Sequence, residues 1–166
     1  MKKLAVILGL FLTLVAGAAQ AQKNELSAYG SWNSLSSGGT SYDFTILNVS
    51  YGYYFTQQFV GTLGITRLDS NNNGAGPADY TAAEAGVKFY FGPPKQGNLV
   101  PFIDGGIGIW DNKPRNSTDT SWRVGFGGAY FITEATSIDP SISYINIQSS
   151  PKTNGHIFGV RITTRF

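Results

Sequence analysis

Residues 80–91 read YTAAEAGVKFYF. In steps of two, Thr81, Ala83, Ala85, Val87, Phe89 and Phe91 fall on one face, and Tyr80, Ala82, Glu84, Gly86 and Lys88 on the other. Strict alternation marks a strand whose two faces meet different surroundings. Both charges share a face, and the same sorting recurs along the rest of the chain. Ile103, Gly105, Ile107 and Ile109 oppose Phe102, Asp104, Gly106 and Gly108. Trp122, Val124, Phe126 and Tyr130 oppose Arg123, Gly125 and Gly127, while Ile138, Ile142 and Tyr144 oppose Asp139, Ser141 and Ser143. The closing stretch, GHIFGVRITTRF (155–166), sets Phe158, Val160, Ile162, Thr164 and Phe166 against Ile157, Gly159, Arg161, Thr163 and Arg165. Seven mid-strand charges therefore lie on one face: Glu84, Lys88, Asp104, Arg123, Asp139, Arg161 and Arg165. A one-residue slip would turn all of them around.

Composition says which face meets what. Charged residues are 13% of the chain, about half the usual share of a soluble domain. Aromatics make up 14%, and there are 21 glycines. Cysteine is absent, which excludes a disulfide frame, a thiolate metal site and a lipidated cysteine. The first 22 residues, MKKLAVILGLFLTLVAGAAQAQ, combine Lys2 and Lys3, an apolar run and an Ala19-Gln20-Ala21 cleavage pattern. The expectation is a cleavable signal peptide over 1–21 and a single domain over 22–166. Losing Lys2 and Lys3 takes the basic count from 12 to 10, against 10 acidic residues. A neutral chain without clustered positive charge has no nucleic-acid footprint.

From residue 25 the alternating segments number eight, near 25–34, 42–54, 59–68, 80–91, 99–110, 121–131, 137–147 and 156–166. The connections SLSSGGTS, DSNNNGAGPAD, DNKPRNSTDT and QSSPKTNG are polar and longer on average; TQQ, GPPKQGN and ITEATS are mostly tighter. Outer-membrane barrels have long extracellular loops and short periplasmic turns. Tyr51, Tyr53, Phe55, Phe59, Phe89, Phe91, Tyr130 and Phe166 gather at the short-turn ends, and Trp32, Tyr42, Tyr80, Trp110, Trp122 and Tyr144 near the long-loop ends. Two such groups fit the aromatic belts of a membrane wall. A soluble barrel would have to pack Trp122, Phe126, Tyr130, Phe158 and Phe166 inside a narrow cavity, and would leave the belts without a cause. The fold class expected is all-β: an eight-stranded antiparallel up-and-down transmembrane β-barrel preceded by a signal peptide. Register is weakest in the first and third segments, where LSAYGSWN alternates poorly and Arg67 falls on the outward parity, placed here at the outer rim.

Several stretches resemble the small OmpA/OmpX-like outer-membrane barrel family. VPFIDGGIGIW (100–110) is similar to its Pro-aromatic-x-x-x-Gly-x-Gly strand, and WRVGFGGAYFITEATSID (122–139) to its next hairpin. YYFTQQFV (53–60) repeats the strand-turn-strand unit of AYFITEATSI. The ending, with Phe158, Val160, Ile162 and Phe166, resembles the C-terminal signal read by the barrel-assembly machinery, departing from it at Thr164. The resemblance implies a bacterial outer-membrane protein in contact with membrane lipid and lipopolysaccharide, handled by periplasmic chaperones and assembly machinery, and monomeric. It implies a non-enzymatic role in envelope integrity, adhesion or host contact, with a surface ligand engaged through the loops. A narrow channel is the alternative, and a lipid-modifying enzyme a weaker one.

No catalytic, cofactor or metal site is expected. His156 is the lone histidine, and His156-Ile157-Phe158 lacks the His-x-Ser pattern of outer-membrane lipid hydrolases. Asp111, Asp119 and Ser117 could join it only through the loops. GGIGIW and GFGGAY lack the following helix that a phosphate loop needs. The seven charges are read as an interior polar network, and buried charge within a membrane also raises the question of gating.

Overall fold

The computed structural model describes residues 23–37, 40–71, 78–112, 117–149 and 153–166. The segment read as a signal peptide and the centres of the four longer loops lie outside the described residues. The strands are β1 (Asn24–Ser37), β2 (Thr40–Tyr54), β3 (Phe59–Asn71), β4 (Ala78–Tyr90), β5 (Leu99–Asn112), β6 (Ser117–Phe131), β7 (Thr136–Ile147) and β8 (Thr153–Arg165). Each pairs antiparallel with its sequence neighbour, and β1 pairs with β8 to close the wall. Closure is what hydrocarbon demands, because an open edge would leave backbone N–H and C=O groups without partners. Phe166 continues the ladder, exchanging backbone hydrogen bonds with Asn24.

The strands overrun the alternating segments at the long-loop end. β3 reaches Asn71, β6 starts at Ser117 and β8 at Thr153. These added residues are mostly polar. Period-two hydrophobicity reports the lipid-facing span only, whereas ladder pairing satisfies the backbone beyond it equally well.

Two of the short turns are built alike. Phe55 N donates to Phe59 O, and Thr56 Oγ1 accepts from the amides of Gln58 and Phe59. Ile132 N donates to Thr136 O, and Thr133 Oγ1 accepts from those of Ala135 and Thr136. A threonine hydroxyl bonding two and three residues ahead fixes each turn locally.

The outward face is oily. Leu63, Ile65, Ile107, Phe126 and Phe158 are among its most exposed large side chains, Ile107 at 68%. Around the end where β1 begins and β8 ends, Tyr51, Tyr53, Phe55, Phe89, Phe91, Tyr130 and Phe166 are exposed. At the other end Trp32 and Trp122 project outward, and Trp122, Tyr144 and His156 form a row of rings with successive centroids 5.5 Å apart. Arg67 points outward near this rim, its Nε 3.1 Å from Asp69 Oδ1. Two of the aromatics read as belt residues belong elsewhere. Trp110 lies inside, 1% exposed, donating from Nε1 to Ser121 Oγ at 2.7 Å, and Tyr80 packs against the same interior cluster. Both have the parity of Glu84 and Asp104. An aromatic near a strand end joins the belt only on the outward parity.

Ile107→Arg on this outward face is expected to cost about 2–4 kcal/mol, the range for a basic residue at the bilayer midplane. Equilibrium urea unfolding in lipid vesicles would read it. A loss below about 0.5 kcal/mol would place Ile107 away from hydrocarbon.

Candidate functional site in the barrel lumen

Inside the wall the side chains form layers. Nearest the short turns, Tyr54, Val60, Tyr90, Val100, Phe102, Ala129 and Phe131 make one apolar and aromatic cluster. Toward the long loops, Phe44, Ile46, Leu68, Ala82, Trp110, Ile145, Ile147 and Ile157 make another. The ionisable groups lie between these clusters and, with Arg165, among the rings of the first. An eight-stranded wall leaves just enough width for side chains to fill the bore, so opposite walls touch across the axis.

The ions form two groups. In one, Lys88 Nζ lies 3.1 Å from Glu25 Oε1 and 3.7 Å from Asp139 Oδ2, and donates to Tyr90 Oη at 2.8 Å. Tyr54 Oη donates to Glu25 Oε2 at 2.6 Å and accepts from Arg165 Nε. The Arg165 guanidinium sits 4.4 Å from the Phe131 ring centroid, 5.0 Å from Tyr90 and 5.1 Å from Tyr54. These rings hold a cation that is only 3% exposed by presenting their negative faces. Thr163 Oγ1 donates to Asp139 Oδ2 at 2.9 Å and lies 3.0 Å from Ser27 Oγ.

In the second group Asp104 Oδ2 accepts from Arg123 Nη1 at 2.7 Å and Arg161 Nη2 at 3.2 Å. Arg123 also reaches Ser143 Oγ at 3.3 Å, and Arg161 lies over the Tyr29 ring. Two glycines make the room. A Cβ at Gly125 would press on the Asp104 carboxylate and Ser143, and one at Gly159 would run into the Tyr29 ring. Glu84 differs from the other acids. Its one hydrogen bond comes from Asn48 Nδ2 at 3.4 Å, and it has no ion pair among the described residues. Two cavities of about 30 Å³ each meet at Asn48, Glu84, Arg123 and Arg161, each large enough for a water.

All seven charges of the sequence reading sit in this lumen: Lys88, Asp104, Asp139, Arg161 and Arg165 buried, Glu84 and Arg123 beside the cavities. The structure adds an eighth, Glu25, 1% exposed. Four acids (Glu25, Glu84, Asp104 and Asp139) now balance four bases (Lys88, Arg123, Arg161 and Arg165). Moving an ion out of water costs several kcal/mol even in relaxed protein, so neutrality matters. A signal for Glu25 existed: Glu25, Ser27, Tyr29, Ser31 and Asn33 are the polar parity of β1 and all but Tyr29 are buried. Tyr54 and Tyr90 carried no signal beyond parity, because tyrosine suits either face; Tyr90 follows Glu84 and Lys88 on theirs. Of the closing strand, Phe158, Val160 and Phe166 are exposed, Ile162 is half-buried and Thr164 is buried.

His156 faces outward. Its imidazole meets the Tyr144 ring edge-on and makes no hydrogen bond or ion pair among the described residues.

The family described as "Outer membrane protein beta-barrel domain" matches residues 6–166. The chain belongs to this outer-membrane β-barrel family. It lies in the bacterial outer membrane, as its structural neighbours do. No curated protein matches it in sequence. Among solved structures this barrel is similar to Neisserial surface protein A (NspA), with a TM-score of 0.72 and 15% identity over 86% of this chain and 97% of that one. It is similar to Ail, the attachment invasion locus protein of Yersinia pestis, at 0.52 and 14% over 87% and 99%. The outer membrane enzyme PagL gives 0.51 and 16% over 86% and 99%. At such identities the likeness is one of fold, and this family of folds carries an enzyme beside surface proteins.

Proposed function

We propose that this outer-membrane barrel is a non-enzymatic structural and surface-contact protein with no open axial pore. Its lumen braces the wall, and its loops supply contacts in envelope integrity or attachment. The observation that carries this reading is the pair of apolar clusters flanking the ion layer, with Tyr90 and Phe131 wholly buried at one end and Trp110 at the other. A hydrated ion would have to displace the packed side chains around Trp110 on the loop side, and on the turn side the rings of Tyr54, Tyr90 and Phe131 that enclose Arg165. The attachment role named for Ail supports a surface-contact reading by fold alone. Assembly would use the signal at Phe158, Val160, Ile162 and Phe166.

Planar-bilayer recording of the purified protein tests the reading. The expected result is no reproducible single-channel step. Steps whose size changes in Arg123→Ala would establish a channel in its place. The enzymatic reading is checked by mass spectrometry of lipid A and phospholipid with and without expression. No change is expected; a change abolished by His156→Ala would overturn the non-enzymatic assignment.

A further inference from the structure

Two seams of the wall are interrupted. Between β6 and β7 the pairing runs to Gly127↔Ser141 and resumes at Tyr130↔Ile138. The skipped stretch contains Pro140, which has no N–H to give. Between β1 and β8, the seam that closes the barrel, pairing runs to Ser31↔Gly159 and resumes in the same register at Ser36↔Asn154. Neither Trp32–Leu35 nor Gly155–Phe158 contains a proline.

The missing bonds can be named. Asn24 and Phe166 exchange both backbone hydrogen bonds, so every second pair along this seam should do the same. That rule makes Trp32–Phe158 and Ser34–His156 bonded pairs, yet the ladder skips both. The Phe158 amide donates instead to the side-chain Oδ1 of Asn33. Asn33 is 8% exposed, and its Nδ2 has no partner among the described residues. A side chain has taken the place of the main chain.

What lies on either side gives the break a consequence. Trp32 and Phe158 stand exposed on its outward face. Opposite Asn33 in the register stands Ile157, which belongs to the apolar cluster toward the loops. Ile157 also lines one of the two cavities, together with Tyr29, Ile46, Trp110 and Ile145. We propose that Asn33 is a latch holding shut a lateral opening in the loop-side half of the β1–β8 seam, through which the cavity behind Ile157 communicates with the surrounding lipid. Opening there breaks one side-chain hydrogen bond, whereas elsewhere along the seam it would break a ladder.

Amide hydrogen exchange on the intact protein in micelles tests the latch, because successive β8 amides point to opposite neighbours. Phe158 and His156 amides face β1, while Ile157 and Gly155 amides face β7. The latch predicts that the His156 amide exchanges at least tenfold faster than the Ile157 amide. It also predicts that Asn33→Ala brings Phe158 to the rate of His156 while Ile157 stays protected. Simple fraying from the loop would release all of them together. Should Asn33→Ala not fold, the contrast within the unaltered protein still decides, and Asn33→Asp, which keeps the acceptor, should leave Phe158 protected. Access is read with a membrane-partitioning maleimide in vesicles: Ile157→Cys is expected to label at least tenfold faster than Ile145→Cys, a neighbour in the same cluster on β7. Equal protection of His156 and Ile157, or equal labelling of the two cysteines, overturns the proposal.

Discussion

Lys88→Met is expected to destabilise the barrel by about 3–5 kcal/mol, the range for breaking a buried ion pair by removing one partner. Lys88 is 2% exposed and answers Glu25 and Asp139, which are 1% and 0% exposed. Removing the ammonium leaves two buried carboxylates without the cation they share, with only the hydroxyls of Tyr54 and Thr163, among the described residues, still donating to them. Methionine fills nearly the same space, so the loss reports charge and hydrogen bonding, not a cavity. Urea unfolding in vesicles, followed by tryptophan fluorescence, would measure it, and a detergent gel would show the compact band disappearing at lower temperature. Glu25→Gln in the same chain should restore part of the loss, because a neutral amide can still accept from Tyr54. The double-mutant cycle should then give a coupling of about 1–3 kcal/mol. A loss under about 1 kcal/mol for Lys88→Met alone would mean that this end of the lumen is wet.

Asp104→Asn is expected to cost a similar amount, about 3–5 kcal/mol, since it leaves Arg123 and Arg161 without their shared anion. The informative control is Glu84→Gln on the neighbouring strand. Glu84 faces the cavities and, among the described residues, holds one long hydrogen bond and pairs with no cation, so its loss should stay within about 1 kcal/mol. Both variants neutralise one interior carboxylate and change the lumen charge equally. A difference between them measures pairing; equal losses would show that overall charge balance governs instead. The same unfolding titration serves for both.

How much of this was legible in advance depends on the residue. Lys88 and Asp104 could be assigned to the interior because each sits between apolar neighbours of opposite parity, and a charge cannot share that face with Val87 or Ile103. Trp110 could not be assigned by ring chemistry, since an indole suits an interface and a bore equally; only parity separates them, and belt reasoning overrode it. Glu25 lay in a strand whose outward parity runs Leu26, Ala28, Gly30 and Trp32, where two small residues in the middle blur the lipid-facing side. The apolar clusters at the two ends were not foreseen. Val60, Val100 and Phe102 read simply as strand residues until the opposite walls are brought within contact across the axis.

The amino-acid order alone determined the alternation, the strand count and the side of the wall on which each mid-strand charge of the later segments must lie. Those follow from the two-residue period and the cost of a charge in hydrocarbon. Tertiary structure decided the partners. Glu25 meets Lys88 across 63 positions of chain and Tyr54 meets Arg165 across 111, because closing the sheet brings β1, β2, β4 and β8 around one narrow axis. It decided as well that Asn33 would bridge to Phe158 where the backbone does not, since the meeting of the first strand with the last exists only once the cylinder is shut.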